Sequence, residues 1–336
     1  MKILVTGGSG YIGSHTCLEL LKMNYEVAVI DNLSNSKKTS LKRVEKITKN
    51  KIDFFKVDLL DLKKLNHVFD KFTPDAVIHF AGKKAVGESV IKPIEYYKNN
   101  LGGTINLIEV MKNHNIKKLI FSSSCTVYGL PNKVPIKEDF PVSAVNPYGR
   151  TKLFIEFLLQ DVSQSDPNWN IIVLRYFNPV GADQSGIIGE DPNGIPNNLF
   201  PYITQVAVGK LPILSIYGND YPTPDGTCIR DYIHVSDLAF GHVKAIDKLR
   251  KSSGTNTYNL GTGKGYSVLE VLSTFEKVTG KNIPHRFVKR REGDVSASYS
   301  DTTKARRELG WKANKNLEDM CKDAWHFQSL NPRGYN

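Results

Sequence analysis

Along the first half of the chain, short apolar runs alternate with segments whose apolar residues recur every three or four positions. KILVT (Lys2–Thr6), EVAVID (Glu26–Asp31), FFKVD (Phe54–Asp58), AVIHFAG (Ala76–Gly82), LIFSSS (Leu119–Ser124) and NIIVLRYF (Asn170–Phe177) read as six strands. Helical spacing covers Tyr11–Met23, Leu41–Ile47 and Leu62–Phe72 between them. Strands that are apolar throughout suit a parallel sheet covered on both faces. Right-handed crossovers then predict a doubly wound α/β fold of the Rossmann type, with its ligand crevice at the carboxyl ends of the strands.

After Phe177 this regularity fades. EDPNGIPNN and YGNDYPTPDGT are turn-rich text. Helical spacing returns over Asp237–Leu249 and Val268–Val278, and Thr302–Leu309 reads as a short capped helix. The pattern predicts a dinucleotide-binding domain over residues 1–177 and a smaller mixed α/β substrate domain over 178–336. Some later segments are expected to cross back to the first domain, and the loops of the second to close over the sheet edge.

Composition narrows the class. The 336 residues are 40% hydrophobic and 24% charged, which suits a well-filled core. No uncharged apolar run is long enough for a membrane helix, and the first strand gives way to glycines at Gly7, too early for a secretory signal. Cys17, Cys125, Cys228 and Cys321 form no CxxC pair, which suits a reducing, cytoplasmic setting. Net charge is +11, but the lysines are scattered in pairs such as Lys37-Lys38 and Lys117-Lys118 without interleaved aromatics. The one dense run, Lys289-Arg290-Arg291, meets Glu292 and Asp294 at once. The excess reads as solvated surface rather than a nucleic-acid footprint. The eight histidines show no paired metal spacing, so no metal is expected. Cys125 has no matched base and reads as a packing thiol.

Candidate chemistry begins at Gly7-Gly8-Ser9-Gly10-Tyr11-Ile12-Gly13, which satisfies both GxxGxxG and GxGxxG between a strand and a helix. Bare glycines allow a tight turn and close backbone approach to a pyrophosphate, and free amides at the helix start face it. Asp31 ends the second strand, where a carboxylate can bind ribose hydroxyls and repel a 2′-phosphate, favouring NAD over NADP; a helix cap is the alternative. Asp58 suits either the adenine amino group or a turn cap. Phe80-Ala81-Gly82 ends the fourth strand with small residues that admit a cofactor backbone.

Tyr148 and Lys152 lie four apart on one helical face, with Pro147 in the first turn. A phenol with a pKa of about 10 is a poor base, and lowering it by about three units takes roughly 4 kcal/mol. A nearby lysine and a cationic nicotinamide ring can together supply that. Ser124, at the carboxyl end of the fifth strand, can bind the same substrate oxygen.

These motifs resemble the extended short-chain dehydrogenase/reductase superfamily. Longer blocks (VTGGSGYIGSHT, DNLSNS, VIHFAGKKAVGESV, FSSSCTVYG, LRYFNPVGA, GEDPNGIPNNL, GNDYPTPDGTCIRDYIHVSDLA and RREGD) resemble the UDP-glucose 4-epimerases over nearly the whole chain. The resemblance implies a bound NAD, contacted by the glycine loop with Tyr11 and Ile12, by Asp31, Asn32, Leu33, Asn35 and Ser36, and by Asp58 and Leu59. Phe80, Ala81, Gly82, Lys84, Asn99 and Phe177 complete that implied set, with Ser124, Tyr148 and Lys152. It implies that Tyr148 removes the O4 proton of a UDP-hexose while C4 gives up hydride, and that hydride returns to the opposite face after the keto-sugar turns over. Arg230, Arg291 and Asp294 are implied to hold the UDP, with Asn178, Asn198, Leu199, Ser215, Ile216 and Tyr217 around sugar or uracil. Ser298 is implied to face the C2 substituent, leaving room for an N-acetyl group unless Tyr299 swings into that space. The helices near Ile91–Asn113 and Pro147–Val162 resemble the family's homodimer faces, though their apolar stripes can equally cover the sheet of a monomer. A nucleotide-sugar 4,6-dehydratase is the nearest rival, but it needs an acid pair after its Ser/Thr, where this chain has Cys125 and Thr126. A dinucleotide-sensing regulator without the chemistry is the other alternative.

Overall fold

The computed structural model describes residues 1–291 and 293–335; Glu292, beside the basic run, and Asn336 lie outside them. The first half runs β1 (Lys2–Thr6), α1 (Tyr11–Lys22), β2 (Glu26–Ile30), α2 (Thr39–Thr48), β3 (Asp53–Phe55), α3 (Leu62–Phe72), β4 (Ala76–His79), α4 (Val86–Ile91), α5 (Pro93–Tyr96), α6 (Gly103–Asn113), β5 (Lys118–Ser124), α7 (Pro147–Ser165) and β6 (Asn170–Tyr176). The second half runs β7 (Asn178–Val180), α8 (Leu199–Ala207), β8 (Leu214–Tyr217), β9 (Ile229–Arg230), β10 (Tyr232–His234), α9 (Val235–Leu249), β11 (Gly254–Leu260), β12 (Tyr266–Ser267), α10 (Val268–Thr279), β13 (His285–Val288), β14 (Ala297–Ser298), α11 (Thr303–Leu309) and α12 (Leu317–Leu330).

Seven parallel strands form one sheet in the order β11-β6-β5-β4-β1-β2-β3. Successive residues of each strand enter opposite cores, as the pleat demands. Ile3, Val5, Val27, Val29, Ile120 and Ile172 pack with α1 and α9, whereas Leu4, Ala28, Ile30, Leu119, Phe121 and Ile171 pack with α3, α6 and α7. Burial on both faces explains why these strands are apolar throughout. The strand order reverses between β1 and β4, which opens a crevice at their carboxyl ends.

The seventh strand comes from the second half of the chain. β11 (GTNTYNL) pairs with β6, and α9 packs against α1. β11 is half polar because it is the sheet's edge, so its sequence lacks the apolar run that marks the other strands. Another core joins α8, β8, α10 and α12 through Phe200, Ile203, Ile216, Val271, Phe275 and Met320.

Two helical expectations need correction. The stretch expected as one helix near Ile91–Asn113 is broken: Pro93 starts a new turn, and Tyr97–Gly102 is a π-helical segment before α6. Proline lacks the amide that would continue α4. Thr302 makes no side-chain cap to α11; the Asp301 carboxylate accepts the Thr303 amide instead, at 2.8 Å. Among the described residues, no helix is long and apolar enough to cross a membrane, and no group of His, Cys, Asp and Glu is arranged to hold a metal.

Candidate active site

The glycine loop is shaped by contacts that a side chain would fill. Gly7 has φ +69°, and a Cβ there would lie 2.7 Å from the Ala81 amide nitrogen; at Gly13 it would lie 2.4 Å from the Gly7 carbonyl oxygen. Helix α1 starts at Gly10 with no side-chain cap and no acidic residue in its first turn. Its first amides are therefore offered to whatever lies beyond the loop, which is the electrostatic requirement for a pyrophosphate. The loop thus fits a dinucleotide on its own geometry.

The carboxylates around it carry loop architecture. Asp31 accepts the Ser9 amide at 3.0 Å, the Leu33 amide at 2.8 Å and the Ser36 hydroxyl at 2.8 Å, tying the glycine loop to the loop after β2 rather than capping a helix. Asp58 caps its own turn through the Leu60 amide at 2.9 Å and accepts Asn32 Nδ2 at 2.8 Å. Asn35 is exposed beside them. Tyr11 donates its hydroxyl to the Gly181 carbonyl at 2.7 Å, and Lys84 pairs with Glu190 at 3.2 Å. Asn99 donates to Asn100, and a Cβ on Gly82 would press on that same Asn100 side chain. Phe80 stacks near His242. The side chains of Leu59, Ile12 and Phe177 pack into or against apolar cores, so what they offer a ligand is chiefly backbone and edge.

The reacting centre lies where β5 ends and α7 begins. Asn146 caps α7 by accepting the Gly149 amide at 2.8 Å, and Pro147 occupies its first position. This sets Tyr148 and Lys152 one turn apart, both buried. Ser124 is the last residue of β5, and its hydroxyl accepts the Thr126 amide and hydroxyl at 3.2 and 3.0 Å. Lys152 Nζ donates to the Ser122 carbonyl at 2.9 Å and lies 4.8 Å from the centre of the Phe121 ring. Burial lowers Lys152 to about 8, and the Glu156 charge works upward against that. Burial, helped by Tyr176, pushes Tyr148 well above the ordinary phenol value, while the Ser124 hydroxyl pulls it back. Among the protein's own groups burial opposes the phenolate more strongly than the neighbours favour it; the lowering expected from the sequence draws on a cationic nicotinamide ring as well.

The third region is a loop cluster. Arg230 pairs with Asp294, Arg291 lies over the Tyr217 ring at 4.0 Å, and Ser298 is the register partner of Arg230 across β14 and β9. Tyr299 is packed against Gly265: a Cβ there would lie 3.1 Å from its ring. Asn178 donates its amide to the Asp231 carbonyl at 2.9 Å. Asn198 donates Nδ2 to Glu190 at 3.1 Å just before Leu199 opens α8. On β8, Ser215 and Tyr217 share one face, while the Ile216 side chain is sealed in the second core and only its backbone is available.

Three polar groups escaped the sequence reading. Asp231, wholly buried, accepts from Thr262 and Ser300 through amide and hydroxyl and from the Gly263 amide. His79 links β1, β4 and α6. Thr104 gives its hydroxyl proton to the Asn100 carbonyl, so His79 Nε2 donates to Thr104 at 2.9 Å and Nδ1 accepts from Thr6 at 2.7 Å. Glu156 binds Arg175 and Ser123. The one available signal for Glu156 was its place one turn after Lys152.

The sequence model of the GDP-mannose 4,6 dehydratase family matches residues 4–324. The UDP-glucose 4-epimerase of Bacillus subtilis (strain 168) is 59% identical over 335 residues, covering 100% of this chain and 99% of that protein. The UDP-glucose 4-epimerase of Dictyostelium discoideum is 58% identical over 335 residues, 99% of this chain and 97% of its own. The solved UDP-glucose 4-epimerase of Bifidobacterium longum, in complex with NAD+ and UDP, superposes with a TM-score of 0.97 at 53% identity, covering 99% of this chain and 100% of that one. Cys125 and Thr126, which follow Ser124, carry no carboxylic acid, so the acid pair expected of a dehydratase is absent from these two positions. The chain belongs to the UDP-glucose 4-epimerase family, within the extended short-chain dehydrogenase/reductases.

Proposed function

We propose that this chain interconverts UDP-galactose and UDP-glucose by withdrawing hydride from C4 and restoring it on the opposite face. The observation that carries the reading is the meeting of Ser124, Tyr148 and Lys152 at the strand ends beside the uncapped glycine cradle. Residues 1–177, with β11 and α9, serve as the cofactor-binding unit, and the remaining later segments as the substrate unit. NAD, when bound, supplies a reversible hydride acceptor and a positive ring that favours a phenolate nearby. Tyr148 takes the O4 proton in one direction and returns it in the other. Ser124 orients O4, and Lys152 supplies the positive charge that burial alone denies the phenol. Arg230 and Arg291 bind the diphosphate and Asp294 a ribose hydroxyl, leaving the hexose free to turn over.

Incubating purified protein with UDP-galactose and no added NAD tests this. UDP-glucose is expected; a 4-keto-6-deoxy product would indicate dehydration, and no product a regulator. The small Ser298 side chain, with Tyr299 packed against Gly265, supports a second activity on the N-acetylated pair. Ser298→Tyr should abolish that activity and spare the unacetylated one; retention of both would refute the assignment. Exposed Ile94, Ile105, Phe154 and Phe157 on α5, α6 and α7 support a homodimer through these helices, read by sedimentation equilibrium. The four free thiols support a reducing, cytoplasmic setting.

A further inference from the structure

One carboxylate on helix α7 grips two strands of the sheet at once. Tyr148, Lys152 and Glu156 follow one another at intervals of four, so they line one helical face. Glu156 is 2% exposed. Its Oε1 accepts the Ser123 hydroxyl at 2.5 Å and Arg175 Nε at 3.1 Å, and its Oε2 accepts Arg175 Nη2 at 2.6 Å. Ser123 and Arg175 are register partners on β5 and β6, so one side chain grips two adjacent strand ends.

The gripped serine is the middle one of three. Its neighbour Ser122 offers the carbonyl that holds Lys152 Nζ, and its other neighbour is Ser124. Alternation along a strand sends the Ser123 side chain toward α7 and those of Ser122 and Ser124 to the other face. Holding Ser123 therefore fixes both neighbours relative to Tyr148 and Lys152. Stability gives no sufficient reason for three polar groups at this depth, because a buried ion pair is commonly no better than an apolar pair of equal volume.

Resting on the epimerase reading above, we propose that Glu156 is a positioning residue for the reaction. It locks the helix carrying Tyr148 and Lys152 against the strand end carrying Ser124, and it sets a carboxylate one helical turn from Lys152. The titratable groups around Tyr148 and Lys152 are Glu156 on α7, His79 on β4, Cys125 just after β5, Arg175 and Tyr176 on β6, and Tyr96 on α5. Of these, only Glu156 brings a negative charge to Lys152. Removing that charge leaves Arg175 buried and cationic, and both changes push the lysine toward its neutral form.

The experiment compares wild type with Glu156→Gln as holoenzymes. The Lys152 titration is followed through the 13Cε resonance of labelled lysine, and turnover of UDP-galactose is followed against pH. In Glu156→Gln the Lys152 midpoint should fall by about one unit or more. The alkaline limb of kcat should move down with it, while KM stays unchanged. An unmoved midpoint and limb would overturn the proposal. Should Glu156→Gln fail to fold, Ser123→Ala removes one arm of the grip at small structural cost. Its kcat should fall by up to about 10²-fold at constant KM, with rescue by Ser123→Thr. Unchanged kcat in Ser123→Ala would overturn the proposal just as well. Inactive wild type would sink the epimerase reading instead, and the resonance titration keeps the two failures apart.

Discussion

The two ends of the crevice are built differently. At the dinucleotide end and the reacting centre, polar side chains are buried and committed to backbone or to one another: Lys152 to a carbonyl, Asp31 to two amides and a hydroxyl, Glu156 to Ser123 and Arg175. In the loop cluster, which we propose as the nucleotide end, the basic groups are paired with partly exposed partners. Arg230 holds Asp294, Arg291 lies on an exposed tyrosine, and Arg290 lies on Tyr221 while bonding exposed Asp220. Committed groups keep their geometry through a reaction cycle, whereas exchangeable pairs let charge follow a substrate in and out.

This contrast can be broken at either end. Tyr148→Phe should lower turnover by about 10²–10⁴-fold while dinucleotide and UDP still bind. Loss of binding instead would mean that the phenol is structural. Arg230→Met should weaken UDP binding by roughly ten- to hundredfold, about 1.5–3 kcal/mol, with little change in thermal stability. A large fall in stability would show that the Arg230–Asp294 pair is committed after all.

Acid tests the committed groups through stability rather than turnover. Burial holds His79 at about 3 and His15 and His242 at about 4, against an ordinary value of 6.5. Unfolded chains bind these protons first, so stability is undiminished above pH 6.5 and falls as pH drops from there toward 4. Each histidine contributes about 1.4 kcal/mol, a factor of ten, per unit across that window. All three pack beside the sheet, so hydrogen exchange should loosen α1 and β4 before β8 and β13. Flat stability between pH 6.5 and 4 would contradict the assignment.

Legibility followed the same division. Ile3, Val5, Val29 and Ile120 announced a doubly covered sheet because burial on both faces leaves no polar position. The glycine loop was readable because its spacing is a local pattern and Gly13 answers to the Gly7 carbonyl six residues away, although the close approach of Gly7 to Ala81 on the neighbouring strand end is tertiary. β11 was missed because an edge strand carries Thr and Asn where its neighbours carry Val and Ile. The break at Pro93 was written in the chain, whereas the π-helical segment after it has no local signature. Ile216 carried no mark to distinguish a pocket wall from a core residue.

By itself, then, the sequence determined the alternation of strands and helices, the spacing of Gly7, Gly10 and Gly13 and the Tyr148–Lys152 spacing, since each is set by residues within one or two turns of each other. Only tertiary structure decided that Glu156 would clasp Ser123 and Arg175, that Asp231 would gather donors from two loops, and that His79 would join β1 to α6. Those partners lie 19 to 73 positions apart in the chain. A buried polar group acquires its meaning from the donors that folding brings to it, and no local pattern names them.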